Sequence, residues 1–313
     1  MNSRMQSVKV IVPATSANLG PGFDAIGLAL TLYNHFTLSV LPAGLEFTFF
    51  GKGRDILFAN ERNYVYQAAL RVFDKIGEHP PGLHISIFNN IPIASGLGSS
   101  STAIVGGMVG ANALMGNPLS RHDLLELATE MEGHPDNVMP AICGGLTLGI
   151  MDKRGLFAEE IAVPNDMRVV IVRPDFAMPT KEARAVLPTS LSQSDVVFNL
   201  SRTPLLLRAL EQGNYAKLGV AMQDRIHEPY RLPLIVGAEA ALAAAEANGA
   251  AGVALSGAGP SLIAFAHDNH EAIAMAMHAE LANYHPSVDA WVLDVDRTGA
   301  QVEALVKSTA TLG

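Results

Sequence analysis

Apolar and polar positions alternate between two periods along this chain. Val8-Lys9-Val10-Ile11-Val12 is short, apolar and rich in β-branched residues, which predicts a strand. Thr37–Val40, Glu46–Phe50 and His84–Phe88 predict further strands, and a Gly- and Asn-rich bend falls at 16–22. Val65, Ala68, Ala69 and Val72 recur at helical spacing, so Asn63 to Ile76 predicts a helix with one apolar face. A Gly/Ser loop at 95–101 leads into an apolar segment that predicts a helix over 102–115, ended by Gly116-Asn117-Pro118. Ser120-Arg121-His122-Asp123 has the form of a capping box, which starts a helix running to Met131 and punctuated by Gly133 and Pro135.

The pattern restarts at Met167 with MRVVIVRP as a strand, a polar stretch around 180–184 and helices up to residue 247. The alanine-rich segment 237–252 predicts a helix closed by Asn248-Gly249, where glycine accepts the left-handed cap. GVALS (252–256) and LIAFA (262–266) predict strands on either side of GAGPS, and AWVLDVD (290–296) predicts a late one. Strands and helices mix without strict βαβ alternation. The expectation is therefore an α+β protein of two lobes, 1–165 and 166–313.

Composition narrows the partners. Hydrophobic residues make up 49% and charged residues 16%, enough apolar material for a core and too little charge for a disordered chain. Lys and Arg number 21 against 30 acidic residues, a net charge of −9 spread over both halves. With no basic stripe to displace phosphate counterions, no nucleic-acid partner is expected. Cys143 is the single cysteine, which excludes an internal disulfide and a multi-cysteine metal site, and it reads as a small buried apolar residue. No apolar run has the length of a membrane span, and the N-terminus reads as a strand and not a signal peptide, so a cytoplasmic protein without a membrane partner is expected.

The chemistry concentrates in Pro92-Ile93-Ala94-Ser95-Gly96-Leu97-Gly98-Ser99-Ser100-Ser101-Thr102, between a strand and an apolar helix. The glycines let backbone approach an anion, and the helix start turns amides and a positive dipole end towards it. The serines add hydroxyl donors, one of them a candidate magnesium ligand. GxxxxGK[ST], GxGxxG and GxSxG are all absent here, and no lysine lies in 76–152. A phosphate cradle built of amides and hydroxyls remains.

This segment resembles the ATP loop of the GHMP kinases, the family of galactokinase, homoserine kinase, mevalonate kinase and phosphomevalonate kinase. Two more motifs agree in order: Pro13-Ala14-Thr15-Ser16-Ala17-Asn18-Leu19-Gly20-Pro21-Gly22-Phe23-Asp24 and Ser256-Gly257-Ala258-Gly259-Pro260-Ser261. Together they span the chain. The first motif, Gly133-His134-Pro135-Asp136-Asn137-Val138, Thr180-Lys181-Glu182-Ala183-Arg184 and Glu228-Pro229-x-Arg231 resemble the forms found in the family's homoserine-phosphorylating branch.

The resemblance implies a ribosomal protein S5 domain 2-like N-terminal lobe, a ferredoxin-like C-terminal lobe, ATP and L-homoserine as substrates, Mg2+ with the ATP, and a homodimer. It assigns ATP to residues 92–102 and the adenine region to Asn63. Homoserine is a zwitterion with a hydroxyl, so its pocket needs cation, anion and hydroxyl partners. Arg184 and Arg231 suit its carboxylate, Asp24 its ammonium, and Asn18 and His134 its amine or hydroxyl, with Thr180 nearby. Each has a plainer reading: Asn18 can hold a turn, Asp24 can cap a helix, and the arginines can form surface ion pairs. The resemblance makes Glu126 the metal carboxylate and Ser100 the hydroxyl ligand. Asn137 occupies the position where other family members carry an aspartate, and an amide takes no proton at neutral pH. No dedicated protein base is therefore expected.

Overall fold

The capping box at Ser120 forms as written, with the Ser120 side chain accepting from Asp123 N–H and the Asp123 carboxylate accepting from Ser120 N–H. Similar local signals set most elements of the computed structural model, which describes residues 5–304, so residues 1–4 and 305–313 of the two expected lobes lie outside the described residues. The first part of the chain runs β1 (Ser7–Ala17), β2 (Ile26–Leu41), β3 (Gly44–Gly51), α1 (Tyr64–Ile76), β4 (Gly82–Asn89), α2 (Ser99–Leu114), α3 (Arg121–Glu132), α4 (Pro135–Cys143), β5 (Leu146–Asp152) and β6 (Gly155–Ile161). The second runs β7 (Arg168–Pro174), α5 (Thr180–Ala185), α6 (Gln193–Gln212), α7 (Leu218–Ala221), α8 (Glu228–Arg231), α9 (Ala238–Ala247), β8 (Gly252–Leu255), β9 (Leu262–Phe265), α10 (His270–Ala282), β10 (Val288–Asp294) and β11 (Gln301–Ala304).

Two sheets result, each with helices on a face, so the fold is α+β. The first has the order β11-β1-β2-β4-β3, with β5 joined to β2 and β6 to β5; the second has the order β10-β7-β9-β8. The last strand returns to the first sheet, where Val10 faces Val302, so the expected division at 165/166 is crossed by the chain's end. The register of β1 on β2 shifts between Pro13 and Ala14, where Pro13 has no N–H to give the ladder. That shift redirects β1 into the loop carrying Asn18 to Asp24.

Apolar α1 and α2 pack on the first sheet around Val10, Phe36, Leu38, Val72 and Met108. A second cluster joins the lobes: Leu19, Leu28 and Leu30 pack with Val169, Ile171, Leu206 and Ile263. Cys143 is buried, and burial pushes its thiol up to about 11. It is a packing residue.

Glu228 backs the junction of the lobes. Its Oε1 accepts from Leu255 N–H at 2.6 Å, and burial, reinforced by Asp224, pushes its carboxyl up to about 8 from 4.5. A raised folded-state value means that its contribution to stability is fully present below 4.5 and is lost as pH rises through about 8. Glu228→Gln keeps an acceptor for Leu255. Its Tm should match the parent near pH 5 and exceed it by several degrees at pH 8.5, as read by thermal melts at the two pH values.

Candidate active site

A cleft of about 590 Å³ lies between the lobes and is lined from both. On one side the backbone turns left-handed at Ala94, Gly96 and Gly98, with φ of 51°, 79° and 65°. Gly98 is the N-cap of α2, and Thr102 N–H is bonded to its oxygen at 2.9 Å. The amides of Ser99 to Ser101 therefore belong to the first turn, whose N–H groups have no partner within the helix. Nothing larger than glycine fits at two points. A Cβ at Gly96 would lie 2.2 Å from Ser256 O, and one at Gly98 2.0 Å from Thr15 Oγ1.

The approach to this loop is fixed by Asn34, a buried polar residue in the middle of β2. Its Oδ1 accepts from Asn90 and Ile91 N–H at 2.8 and 3.0 Å, and its Nδ2 donates to Thr102 Oγ1 at 2.9 Å. From the other lobe, Ser256 Oγ donates to Gly96 O at 2.7 Å and Ser261 N–H to Ser95 O at 3.1 Å. Of residues 92–102, Ile93 to Gly96 and Gly98 to Ser101 line the cleft. Leu97 is buried in the inter-lobe cluster, Thr102 is held by Asn34 and the Ser99 carbonyl, and the Pro92 carbonyl accepts from Ser95 Oγ at 2.7 Å.

Glu126 is not brought to the serines. Its carboxylate accepts from Leu156 N–H at 3.3 Å and abuts His122, on the side of α3 that faces β6. Glu132 takes that place: its Oε1 accepts from Ser100 Oγ at 3.0 Å and Ser101 Oγ at 2.8 Å, and it lines the cleft. Six residues of helix turn the side chain about 240° and advance it about 9 Å, so the two carboxylates cannot serve one point. Glu130 is exposed and outside the cleft.

Asn63 lines the cleft, but its side chain is spent on structure. Oδ1 accepts from Val65 N–H and Nδ2 donates to Phe58 O, both at 2.9 Å, which caps α1. Asn18 is likewise engaged: its Nδ2 donates to Gly257 O at 2.8 Å and its Oδ1 accepts from Asp24 N–H at 3.1 Å. These bonds hold the loop, and Asn18 also lines the cleft.

The other side of the cleft carries the charges. Arg184 on α5 reaches Asp24 through two bonds of 3.0 and 2.6 Å. That pairing raises the guanidinium above its ordinary value. Arg231 is buried, donating Nε–H to Ala183 O at 3.0 Å and lying 5.2 Å from the Phe23 ring centroid. Burial, aided by Arg184, lowers its proton affinity. His227 is buried and bridges Gly20 O at 2.8 Å and Arg231 Nη1 at 3.4 Å. A carbonyl only accepts, so Nε2 carries the proton and Nδ1 faces Arg231. Burial lowers this imidazole and keeps it neutral. Phe23 and Thr15, within the motif at 13–24, and His227 received no role from the sequence, because aromatic, histidine and threonine side chains serve a core equally well.

His134 and Asp136 close the pocket floor. His134 Nδ1 donates to Asp136 Oδ1, which also accepts from Asn137 Nδ2 at 3.2 Å. Burial alone would depress the His134 imidazole, but the bond to Asp136 and the charges of Asp136, Glu132 and Asp24 outweigh it, and the net shift is upward. Thr15 Oγ1 donates to Asn137 Oδ1 at 2.8 Å, so the Asn137 carbonyl is occupied, and with one Nδ2 hydrogen given to Asp136 the second is the group left to bond a ligand. Thr180 is exposed at the start of α5 and lines the same cleft.

An amide-and-hydroxyl anion cradle facing paired arginines and carboxylates across a two-lobed cleft defines a small-molecule kinase fold. The GHMP kinases N terminal domain model matches residues 63–145, and the GHMP kinases C terminal model matches 206–283. Homoserine kinase of Crocosphaera subtropica is 44% identical over 96% of this chain and 99% of its own length. That of a Synechococcus strain is 46% identical over 95% and 98%. Among solved structures, homoserine kinase from Cytophaga hutchinsonii superposes with a TM-score of 0.88 at 32% identity, covering 97% of this chain and 99% of that one. The chain belongs to the homoserine kinases of the GHMP kinase family.

Proposed function

We propose that the protein transfers the γ-phosphoryl group of ATP to the side-chain hydroxyl of L-homoserine, giving O-phospho-L-homoserine and ADP in threonine biosynthesis. The observation that carries this reading is the single cleft that joins the Gly96–Ser101 cradle to Asp24, Arg184 and Arg231. A phosphate tail fits the first, and an amino-acid zwitterion fits the second.

In this reading Ser99 to Ser101 hold the phosphates through amides and hydroxyls. Ser100 and Glu132 hold Mg2+; a hydroxyl beside a carboxylate is a hard-oxygen donor set that suits this ion. When bound, the ion neutralises charge on the phosphates. Arg231 and Arg184 orient the homoserine carboxylate, and Asp24 and His134 the ammonium end. The Asn137 N–H donates to the substrate hydroxyl oxygen, because Thr15 occupies the amide oxygen.

The hydroxyl oxygen attacks the γ-phosphorus, the bond to the bridging oxygen of ADP breaks, and the hydroxyl proton passes to the transferred phosphoryl group. A dedicated base is unnecessary, because a loose transition state gains most from positioning and charge neutralisation. Asp136 accepts from His134 and Asn137, which supports a holding role for it. A homodimer in the cytoplasm completes the reading.

A coupled ADP-release assay with homoserine, mevalonate and galactose tests the function. Turnover with homoserine alone is expected, and turnover with either other substrate but not homoserine would overturn it. Thr15→Val should lower kcat about tenfold while leaving the homoserine KM within twofold, since it frees the Asn137 amide to rotate without touching either arginine. Thr15→Ser, which keeps the donor, should recover most of the loss in the same steady-state assay.

A further inference from the structure

Asp24 and Arg184 are assigned above to opposite ends of one ligand, yet in the protein by itself they bind each other. Their two bonds, 3.0 and 2.6 Å, form a planar fork, and both side chains are about one-third exposed, at 35% and 37%. We propose that this ion pair is an internal stand-in for the zwitterion, which the ligand replaces by partner exchange, and that the exchange makes the site select molecules carrying both charges. The inference rests on the proposed function for the identity of that zwitterion.

The surroundings argue for exchange. Arg231 is fixed, with Nε bound to Ala183 O and Nη1 facing His227 and Gly257 O. Both side-chain hydrogen bonds of Arg184 go to Asp24, so it is the arginine free to change partner. Arg184 and Arg231 lie 5.6 and 5.2 Å from the Phe23 ring centroid, so one aromatic ring contacts both. A ligand with carboxylate and ammonium gives Arg184 and Asp24 a new partner each, and one ion pair becomes two. A ligand with a carboxylate alone draws Arg184 away and leaves Asp24 without its guanidinium, clustered with Asp136 and with His134, whose Nδ1 is already bonded to Asp136. A ligand with an ammonium alone leaves Arg184 unpaired beside Arg231. Stranding one charge of a partly desolvated pair is costly, so each single-charge ligand is rejected by the residue it cannot satisfy.

The test uses 4-hydroxybutanoate, which lacks the ammonium, and 3-aminopropan-1-ol, which lacks the carboxylate. Each is measured by calorimetry on the parent, Asp24→Asn and Arg184→Gln, with ADP affinity as the check on folding. Asp24→Asn should bind 4-hydroxybutanoate about tenfold more tightly than the parent while binding homoserine more weakly. Arg184→Gln should show the mirror-image gain for 3-aminopropan-1-ol. Loss or no change of analogue affinity in a variant that retains ADP binding would overturn the inference. Asp24→Ser serves where Asp24→Asn fails the ADP check, with the same outcomes. Failure of the functional reading appears separately, as absence of homoserine turnover by the parent protein.

Discussion

Arg231→Ala is expected to raise the homoserine KM about a hundredfold or more, with the ATP KM changed less than threefold. Arg231 is 2% exposed, and among the described residues its side chain contacts carbonyls, His227 and the Phe23 ring, with no ion pair. A buried guanidinium without a carboxylate is costly to maintain, and a ligand carboxylate supplies the missing charge in a water-poor site. The cradle proposed for ATP lies at the start of α2 in the other half of the cleft, which is why the ATP KM should stay. Arg231→Lys keeps the charge and loses the fork, so its KM should fall between those of the parent and the alanine variant. Steady-state kinetics with each substrate varied in turn reads the split. Equal rises in both KM values would remove Arg231 from the carboxylate site.

Glu132→Gln is expected to lower kcat about a hundredfold and to raise the Mg2+ concentration at half-maximal rate, whereas Glu126→Gln leaves both within about twofold. The contrast follows from position. Glu132 meets the Ser100 and Ser101 hydroxyls at the mouth of the cradle, and Glu126 faces Leu156 on the opposite strand pair. An amide still accepts from the serines but carries no charge for the ion. Calorimetry with ADP, with and without Mg2+, provides a readout independent of turnover: the enhancement by Mg2+ should shrink in Glu132→Gln and persist in Glu126→Gln. The reverse pattern would return the role to Glu126.

The placement of that carboxylate marks a boundary of what spacing conveys. Glu126 is assigned by resemblance, and position along the chain does not say which face of α3 meets the serines. Gly133, with φ of 94°, ends α3, and Pro135 starts α4. The break changes the direction of the chain and brings the last turn of α3, with Glu132, to the serines. Asn63 shows a related ambiguity. A polar residue at a helix start reads equally as a ligand contact or a cap, and its two bonds to Val65 and Phe58 belong to the cap.

Local signals carried far in the elements themselves. Strand runs at 84–88 and 167–174 and helices at 63–76 and 120–131 appear within a few residues of their expected limits, whereas the strand expected at 8–12 runs on to Ala17. Strands β5, β6 and β11 and helices α4 and α10 had no clear signal. β11 is Gln301–Ala304, whose pairing with Val8 to Ile11 spans nearly the whole sequence, and no local pattern encodes so distant a partner. α10 has apolar residues distributed around the helix, because it packs against both α9 and the second sheet.

The sequence by itself determined the residue types and their order: an anion cradle of glycines and serines with no lysine, two arginines and a carboxylate fit for a zwitterion, and an amide where a base could stand. Those properties are chemical and survive any arrangement of the chain. Tertiary structure decided which groups meet. It paired Asp24 with Arg184, buried Arg231 without a counter-ion among the described residues, oriented the Asn137 amide through Thr15, and set Glu132 on Ser100. Hydrogen bonds and ion pairs act over a few ångströms, and the partners here stand 160, 122 and 32 residues apart, so only the packing of two lobes about one cleft could choose them.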